Sequence, residues 1–257
     1  MEILVAIKRV PATGGRIVLT ADERAIDTRH LGFTVSPHEE CAVEEAVRIV
    51  EAGGGSVTAV TLGPEVATEQ LRDAMAIGAD RAVLLETDGR EWDPMETAAA
   101  IVDAVQAQAA AGTPYDLLLF GNEAADTGDY QVPIRVAVAL DLPWVTGVKA
   151  LELRDGVAVA RREAVGGGWE EFELPLPAVV AVKEGINLPR YPSLPGRLRA
   201  NKKPIDRVAP TARPSGPTMS RLRLPREEAH EVEILGRGAD AAPRVVEVMR
   251  TLGVVRS

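Results

Sequence analysis

The sequence predicts an α/β protein with a doubly wound, mostly parallel sheet, a β-hairpin extension and an extended C-terminal arm. The first observation is a set of short, continuous apolar runs, which are typical of strands buried on both faces of a parallel sheet. The second is that segments with apolar residues at helical spacing alternate with these runs. The third is a change near Val148, after which short strands alternate with glycine-containing turns.

The first half of the chain carries the strand and helix signals of the parallel sheet. The apolar run Ile3–Ile7 predicts the first buried strand. Ser36 predicts the N-cap of the first helix, with Pro37 at the first helical position and Glu39 closing a capping box. Asp93 predicts a second strong helix start, and a long alanine-rich helix follows it to Ala110. Further strands are predicted over 56–62, 82–85 and 117–120, with helices between them.

The second half predicts a β extension and then an arm. Strands over 148–153, 157–160 and 169–174 are separated by short turns and lead into a buried strand, Ala178–Val182. Residues 208–227 are rich in proline, arginine and serine and have little periodicity, which indicates an arm rather than a domain. A terminal helix is predicted over 240–252, and its apolar face needs a second surface. That surface is either a partner subunit or the chain's own first domain.

Composition excludes several classes of function. The net charge of −9 argues against a general nucleic-acid binder. Cys41 is the only cysteine, so the chain has no intrachain disulfide and no cysteine-based metal or iron–sulfur site. No apolar run approaches the length of a membrane span, and the N-terminus lacks a signal sequence, so a cytoplasmic location without membrane insertion is expected.

No group of residues in the sequence predicts catalysis. His30, His38 and His230 are scattered, without partners spaced for a metal site or a nucleophile triad. The sequence also lacks a Walker loop and a dinucleotide fingerprint. Asp93 and Glu96 form a carboxylate pair, but their spacing is that of helix capping. We therefore expect no catalytic residues and no metal site, and any redox chemistry would belong to a bound cofactor.

A proline-rich segment, residues 186–205, follows the strand that ends at Val182. Its prolines fix φ and remove backbone donors, which predicts a stiff, solvent-facing loop that forms neither a helix nor a central strand. Leu194 is its prominent apolar side chain, and arginines and lysines follow it. An exposed apolar side chain on a preorganised loop, beside positive charge, is suited to docking a partner protein. The alternative is a proline-rich connector whose charges are simply solvated, since such a connector has the same composition.

Two stretches of the sequence are motifs specific enough to compare with a known family. One contains Asn187-Leu188-Pro189-Arg190-Tyr191, then Leu194-Pro195 and Lys202-Lys203-Pro204-Ile205. The other has the form Gly121-x-x-Ala124-x-Asp126-x-x-x-x-Gln131, between a strand and a helix. Both resemble the electron-transfer flavoprotein β subunit, and the similarity extends over nearly the whole chain.

The resemblance implies two sets of site residues. In this family the proline-rich segment is the recognition loop, and the leucine matching Leu194 enters a pocket on partner dehydrogenases. The implied docking residues are Arg190, Tyr191, Pro192, Ser193, Leu194, Pro195, Gly196, Arg197, Leu198 and Arg199. The implied nucleotide-binding residues are Ala6, Ser36, Pro37, His38, Glu39, Leu62, Gly121, Asn122, Glu123, Ala124, Ala125, Asp126, Thr127, Gly128, Asp129, Tyr130, Gln131 and Val132.

The resemblance also implies cofactors and partners. The nucleotide would be a structural AMP, or a second FAD as in electron-bifurcating relatives. A redox-active FAD would be held mostly by an α subunit, with the loop Val10–Thr13 contributing one wall. Electrons would pass from flavin dehydrogenases, such as acyl-CoA dehydrogenases, to a membrane quinone oxidoreductase. The alternative from a different class is a stand-alone adenine-nucleotide-binding regulator with the related universal-stress-protein fold.

The expected organisation has three parts. Residues 1–185 would form the nucleotide-binding α/β domain with its β extension, and residues 186–205 the recognition loop. Residues 206–257 would form the arm and the helix that dock on the α subunit.

Overall fold

The computed structural model describes residues 1–12, 14, 16–213, 219–225 and 232–255. The strands are β1 (Glu2–Ala6), β2 (Val10–Pro11), β3 (Phe33–Thr34), β4 (Ser56–Gly63), β5 (Arg81–Glu86), β6 (Leu117–Gly121), β7 (Trp144–Arg154), β8 (Val157–Glu163), β9 (Trp169–Pro175), β10 (Ala178–Val182) and β11 (Asp206–Val208). Within the described residues, nine of these strands form one mixed sheet in the order β11-β5-β4-β1-β6-β10-β7-β8-β9. The helices are α1 (Pro37–Gly53), α2 (Thr68–Ile77), α3 (Pro94–Ala110), α4 (Gln131–Leu140), α5 (Leu194–Ala200) and α6 (Ala242–Thr251), with short 3₁₀ turns at Glu65–Ala67 and Gly238–Ala241.

Helices cover both faces of the parallel sheet, which confirms the predicted doubly wound α/β fold. Strands β11, β5, β4, β1, β6 and β10 are parallel, and β7 is parallel to β10. Helices α1 and α2 pack on one face, over alternate β1 residues such as Ile3 and Val5. Helices α3 and α4 pack on the other face, over Leu4 and Ala6. The strands are apolar on both sides because both faces are buried.

The two strong helix starts form as predicted. The Ser36 hydroxyl accepts a hydrogen bond from the Glu39 amide, and the Glu39 side chain accepts one from the Ser36 amide, which completes the capping box of α1. Asp93 caps α3 by accepting from the Glu96 amide at 2.9 Å. These local interactions fix where both helices begin, and both beginnings lie at the same edge of the sheet as the carboxyl ends of the parallel strands.

The direction of strand order reverses at β1. The chain passes from β1 to β4 and β5 on one side, and then returns to place β6 on the other side. The loops after β1 and β6 therefore lead to helices on opposite faces and leave a crevice between them. Open α/β sheets bind ligands at such a switch point, outside the carboxyl ends of the strands.

The β extension continues the sheet beyond β10. Strand β7 is long enough to pair with β10 near its start and with β8 along the rest of its length. Strands β8 and β9 then pair antiparallel in register from Val157↔Pro175 to Glu163↔Trp169. The predicted extension therefore belongs to the same sheet as the parallel core.

The structure corrects the prediction for the proline-rich segment, because Leu194–Ala200 forms a helix, α5. Ser193 caps it by accepting from the Gly196 amide at 3.1 Å. Pro195 lies in the first turn, where its missing N–H is not needed and its fixed φ suits a helix. The prediction of no helix was wrong because proline opposes a helix interior but not a helix start.

The chain divides into two units, Met1–Arg221 and Leu222–Ser257. The predicted boundary at 205/206 is too early, since β11 adds a parallel edge strand beside β5. Within the second unit the terminal helix forms as α6, and none of its residues is buried. Over the described ranges, no helix combines the length and the apolar character needed to cross a membrane.

Candidate functional site

A cavity of about 1070 Å³ opens at the carboxyl ends of β1, β4, β5 and β6. Ala6 and Leu62 line it from the sheet, and Glu39 from the first turn of α1. The loop after β6 and the loop between β5 and α3 form two of its walls. The cavity therefore lies at the switch point, where the strand order predicts a ligand.

The start of α1 is tied to the neighbouring loops. The buried carboxyl group of Glu39 accepts hydrogen bonds from the Lys8 amide at 3.0 Å and the Ser36 amide at 3.3 Å. The Ser36 hydroxyl lies 3.4 Å from the Glu123 carbonyl oxygen and donates to it. Helix capping thus also joins the loops after β1 and β6, so Ser36 and Glu39 shape one end of the cavity.

His38 links the loop after β6 to the start of the proline-rich segment. Its Nδ1 accepts from the Glu184 amide at 2.9 Å, which leaves the proton of a neutral ring on Nε2. Nε2 lies 3.1 Å from Glu123 Oε1 and donates to it. Both ring nitrogens of His38 are therefore used within the fold.

Gly121 permits this close approach. A Cβ at Gly121 would lie 2.6 Å from Glu39 Cγ, 3.0 Å from the Glu39 amide nitrogen and 3.2 Å from His38 Cβ. Only a residue without a side chain fits between the end of β6 and the first turn of α1. Close packing between the strand and the helix is therefore the reason that the motif beginning at residue 121 has a glycine at this position.

Burial dominates the electrostatics of Glu39. Loss of solvent raises the pKa of its carboxyl group to about 8, although the amide hydrogen bonds from Lys8 and Ser36 and the charge of Lys8 act in the opposite direction. Asp126, paired with the Lys8 ammonium at 2.8 Å, adds to the upward shift. At neutral pH Glu39 is thus mostly the neutral acid.

Glu39→Gln is expected to change how stability depends on pH. In the wild type, the unfolded chain loses the Glu39 proton above about pH 4.5 while the folded chain keeps it up to about pH 8. The free energy of unfolding of the wild type therefore falls between pH 5 and 8. Glutamine does not titrate, so the variant lacks this fall. Relative to the wild type, its free energy of unfolding rises by roughly 3 kcal/mol from pH 5 to pH 8. Denaturant unfolding of both proteins at pH 5, 6, 7 and 8 measures it. Parallel pH profiles would contradict the shifted pKa.

The loop after β6 is closed by its own hydrogen bonds. The Gly128 amide donates to the Ala124 carbonyl at 2.8 Å, and the Ala124 amide donates to the Asp129 carbonyl at 3.3 Å. Asn122 is buried, and its Oδ1 accepts from the Gly147 amide at 2.7 Å. Asn122 thus joins the end of β6 to β7 and faces away from the large cavity, beside a smaller pocket of about 320 Å³.

The structure brings one part of the predicted nucleotide set to the cavity and leaves the rest outside its lining. The residues that line it are Ala6, Glu39, Leu62, Gly121, Glu123, Ala124, Asp126, Thr127, Asp129 and Val132. Those outside the lining are Ser36, Pro37, His38, Asn122, Ala125, Gly128, Tyr130 and Gln131. Gln131 and Val132 belong to the first turn of α4.

The sequence interpretation missed one wall of the cavity. Arg90 and Trp92, in the loop before α3, both line it. The Arg90 guanidinium binds Glu96 through two hydrogen bonds of 2.8 and 2.9 Å and lies 4.3 Å from the Trp92 ring centroid. The available signal was the cap at Asp93, since a strong helix start after a parallel strand places the preceding loop at the ligand-binding edge.

Three residues that line the cavity carry buried polar atoms without a hydrogen-bond partner among the described residues. They are Thr61 Oγ1, Trp92 Nε1 and Arg9 Nε. Buried polar atoms in native proteins are nearly always paired with protein, water or a ligand. These atoms therefore mark where a polar ligand would find partners. Over the described residues, no three His, Cys, Asp or Glu side chains are grouped to hold a metal ion.

The structure places the predicted docking residues in and before α5, and only some of them are exposed. Leu194 is 71% exposed, and Leu198, one turn later, is also exposed. Gly196 and Ala200 are buried instead, because this side of α5 lies on α2, and a Cβ at Gly196 would lie 2.5 Å from the Ala76 carbonyl oxygen. Arg197 forms an ion pair with Asp73 at 3.2 Å. Arg190 is bound by acidic residues of α1. Tyr191, Ser193, Pro195 and Arg199 are exposed and Pro192 is half-buried.

Comparison with known proteins gives a consistent result. A family model described as the electron transfer flavoprotein domain matches residues 24–213. The electron transfer flavoprotein subunit beta of Bacillus subtilis (strain 168) is 35% identical over 261 residues, which cover 98% of each chain. The protein of the same name from Syntrophomonas wolfei is 34% identical, covering 97% of this chain and 96% of its own. That from Mycobacterium leprae is 38% identical over 210 residues, which cover 79% and 77%.

Proposed function

This chain belongs to the electron transfer flavoprotein β-subunit family, and from that membership we propose that it is the β subunit of a heterodimer that carries electrons from dehydrogenases to a respiratory acceptor. The family identified from the motifs at 121–131 and 187–205 is thus confirmed. In the proposed function the chain acts as an electron carrier subunit and has no catalytic residues of its own. An α subunit supplies most of the flavin site.

The nucleotide of this subunit is AMP, bound in the large cavity. The observation that carries this assignment is a set of buried polar atoms along the cavity at the switch point that lack a hydrogen-bond partner among the described residues, one each from Thr61, Trp92 and Arg9. The volume of the large cavity, about 1070 Å³, is more than a mononucleotide needs. The residues that would hold AMP are the predicted lining residues on β1, α1, β4 and the loop after β6.

The redox chemistry comes from an FAD, which accepts and releases electrons when bound between the subunits. In the loop Val10–Thr13, Val10 is 1% exposed and pairs with Thr34 in the short β2–β3 ladder. Val10 therefore packs inside its own chain, and Pro11 and Ala12 are the described residues of this loop with surface to offer a flavin. Thr13, the last residue of the predicted contact, lies outside the described residues.

Docking of dehydrogenases is the role of the exposed side of α5. Leu194 and Leu198 present apolar surface along one side of a short helix whose other side is fixed on α2. A rigid apolar anchor loses little conformational entropy when it enters a pocket. Acyl-CoA dehydrogenases are the proposed electron donors, and a membrane quinone oxidoreductase is the proposed acceptor.

One alternative keeps the family and changes the nucleotide. An electron-bifurcating form would hold a second FAD in the large cavity, and the cavity volume, at the upper end of the range for ligand pockets, allows a larger ligand than AMP. The stand-alone regulator of universal-stress-protein type has less support. Such a module would lack the proline-rich segment, whereas the family match runs through that segment to residue 213.

Cofactor stoichiometry tests the proposal. The chain is co-expressed with an electron transfer flavoprotein α subunit, the purified complex is denatured, and the released nucleotides are separated and quantified. We expect a yellow complex of one copy of each chain that releases equal amounts of FAD and AMP. Two FAD per complex would establish the bifurcating form, and a colourless homodimer would overturn the proposed function.

A further inference from the structure

One face of α1 holds the beginning of the proline-rich segment. Positions 41, 44, 45 and 51 of this helix lie on the same side, at spacings of three, four and seven residues. Asn187 Nδ2 donates to the Cys41 carbonyl at 3.0 Å and to Glu45 Oε2 at 2.8 Å. The segment is therefore tied to α1 as soon as it leaves the sheet.

Arg190 makes the strongest part of this attachment. Its Nε donates to Glu44 Oε2 at 2.9 Å and its Nη2 to Glu44 Oε1 at 3.0 Å. The other side of the guanidinium reaches Glu51, with Nη1 at 2.7 Å from Oε1 and Nη2 at 2.8 Å from Oε2. The Arg190 amide also donates to Glu44 Oε2 at 3.1 Å. Both the side chain and the backbone of Arg190 are thus fixed on α1, in the two-pronged geometry that only arginine provides.

Burial of Glu44 makes its ion pair with Arg190 costly to break. Glu44 is 5% exposed, and a carboxylate removed from solvent needs a cationic partner. If Arg190 turned outward to bind another protein, it would leave the charge of Glu44 buried and unpaired. The fold therefore already uses the donors of Arg190, which the motif alone assigned to docking.

The far end of the segment is fixed as well. The Arg72 guanidinium of α2 donates to the carbonyl of Ala200, the last residue of α5, and to that of Lys203. The Lys203 ammonium donates to the Ala79 carbonyl at 2.9 Å. Three residues, one of them a proline, separate Arg190 from Leu194, so this stretch has little conformational freedom between the two attachments.

We propose that Arg190 is a positioning residue, which sets the place of Leu194 by fixing the segment to Glu44 and Glu51, and does not itself contact the partner. This inference rests on the proposed docking role of Leu194. Arg190 would act through the proline-rich segment, so replacing it would impair docking without removing any residue that contacts the partner. The buried Glu44 must then matter for docking too, although no partner can reach it.

Three substitutions in the complex with the α subunit test this proposal, each compared with the wild type. Arg190→Gln and Glu44→Gln each break the attachment, and Arg199→Gln removes the same charge from an exposed position of α5 as the matched control. Amide hydrogen exchange of residues 187–196 reports the attachment without any dehydrogenase. We expect about a tenfold faster exchange in both attachment variants and no change in Arg199→Gln.

Electron transfer gives the second readout. With an acyl-CoA dehydrogenase as donor, we expect the KM for the flavoprotein to rise about tenfold in Arg190→Gln and in Glu44→Gln, with kcat and flavin content unchanged. Arg190→Lys should recover only part of the loss, because an ammonium cannot bind two carboxylates in the same planar geometry. If Arg190→Gln does not fold, Glu51→Gln, which weakens the exposed half of the attachment, is measured in its place.

The outcomes separate this inference from the proposed function. Unchanged exchange of residues 187–196 in Arg190→Gln would overturn the positioning role, whatever the electron-transfer rates. A raised KM in Arg190→Gln with a normal KM in Glu44→Gln would also overturn it, since that result indicates direct contact with the partner. Failure of the wild-type complex to accept electrons would instead count against the proposed function. Amide hydrogen exchange of residues 187–196 would then still test whether Arg190 fixes the segment to α1.

Discussion

Leu194→Ala is expected to raise the KM for the flavoprotein, with a dehydrogenase as electron donor, by about 10- to 100-fold while leaving kcat nearly unchanged. Leu194 is 71% exposed at the first position of α5, so the side chain contributes little to the fold of its own chain. Its loss removes apolar surface that is buried only when a partner binds. Steady-state electron transfer at varied flavoprotein concentration measures the effect.

Leu188→Ala is the matched control for this measurement. Leu188 lies in the same proline-rich segment and is 91% exposed, but it precedes the Arg190 attachment and α5. We expect its KM to stay within about twofold of the wild type, because isolated exposed leucines contribute little to binding or stability. Equal effects of the two substitutions, or an unaltered KM in Leu194→Ala, would refute the anchor role.

Gly121→Ala is expected to lower the free energy of unfolding by about 2 kcal/mol and to reduce the AMP content of the purified complex. The new methyl group would lie 2.6 Å from Glu39 Cγ and 3.0 Å from the Glu39 amide, so the first turn of α1 must move. That turn lines the cavity through Glu39 and is tied to the loop after β6 through Ser36. Denaturant unfolding and nucleotide extraction measure the two effects.

Gly53→Ala controls for the general cost of adding a methyl group to a glycine of this region. Gly53 ends α1, and a Cβ there would meet no heavy atom of the described residues within 4 Å. We expect unchanged or slightly increased stability, because alanine favours the helix more than glycine does. Full AMP content in Gly121→Ala would show that the close approach of β6 and α1 does not shape the nucleotide site.

The start of α1 shows how much of the fold could be predicted from the sequence. Ser36, Pro37 and Glu39 were predicted as cap, first helical residue and capping-box partner, and the structure has them so. Capping depends on residues three positions apart, so a local pattern contains all the information. The parallel strands were equally predictable, because burial on both faces leaves a continuous apolar run.

The candidate site was only partly predictable. The motif after β6 pointed to the carboxyl edge of the sheet, and Asp126 and Glu123 do line the cavity there. It could not show that Asn122 turns away to bind the Gly147 amide. Nor could it show that Arg90 and Trp92 complete the wall, since they come from a different loop whose position depends on strand order.

The sequence by itself determined the helix starts, the buried strands, the family and the identity of the exposed leucine. Each of these depends on residues that are neighbours in the chain or on a string long enough to be specific. Tertiary structure decided what Arg190, Gly121 and Gly196 do, because their partners on α1 and α2 lie far away in sequence. Ion pairs and close approaches between distant elements depend on distances in space, and a linear pattern does not contain those distances.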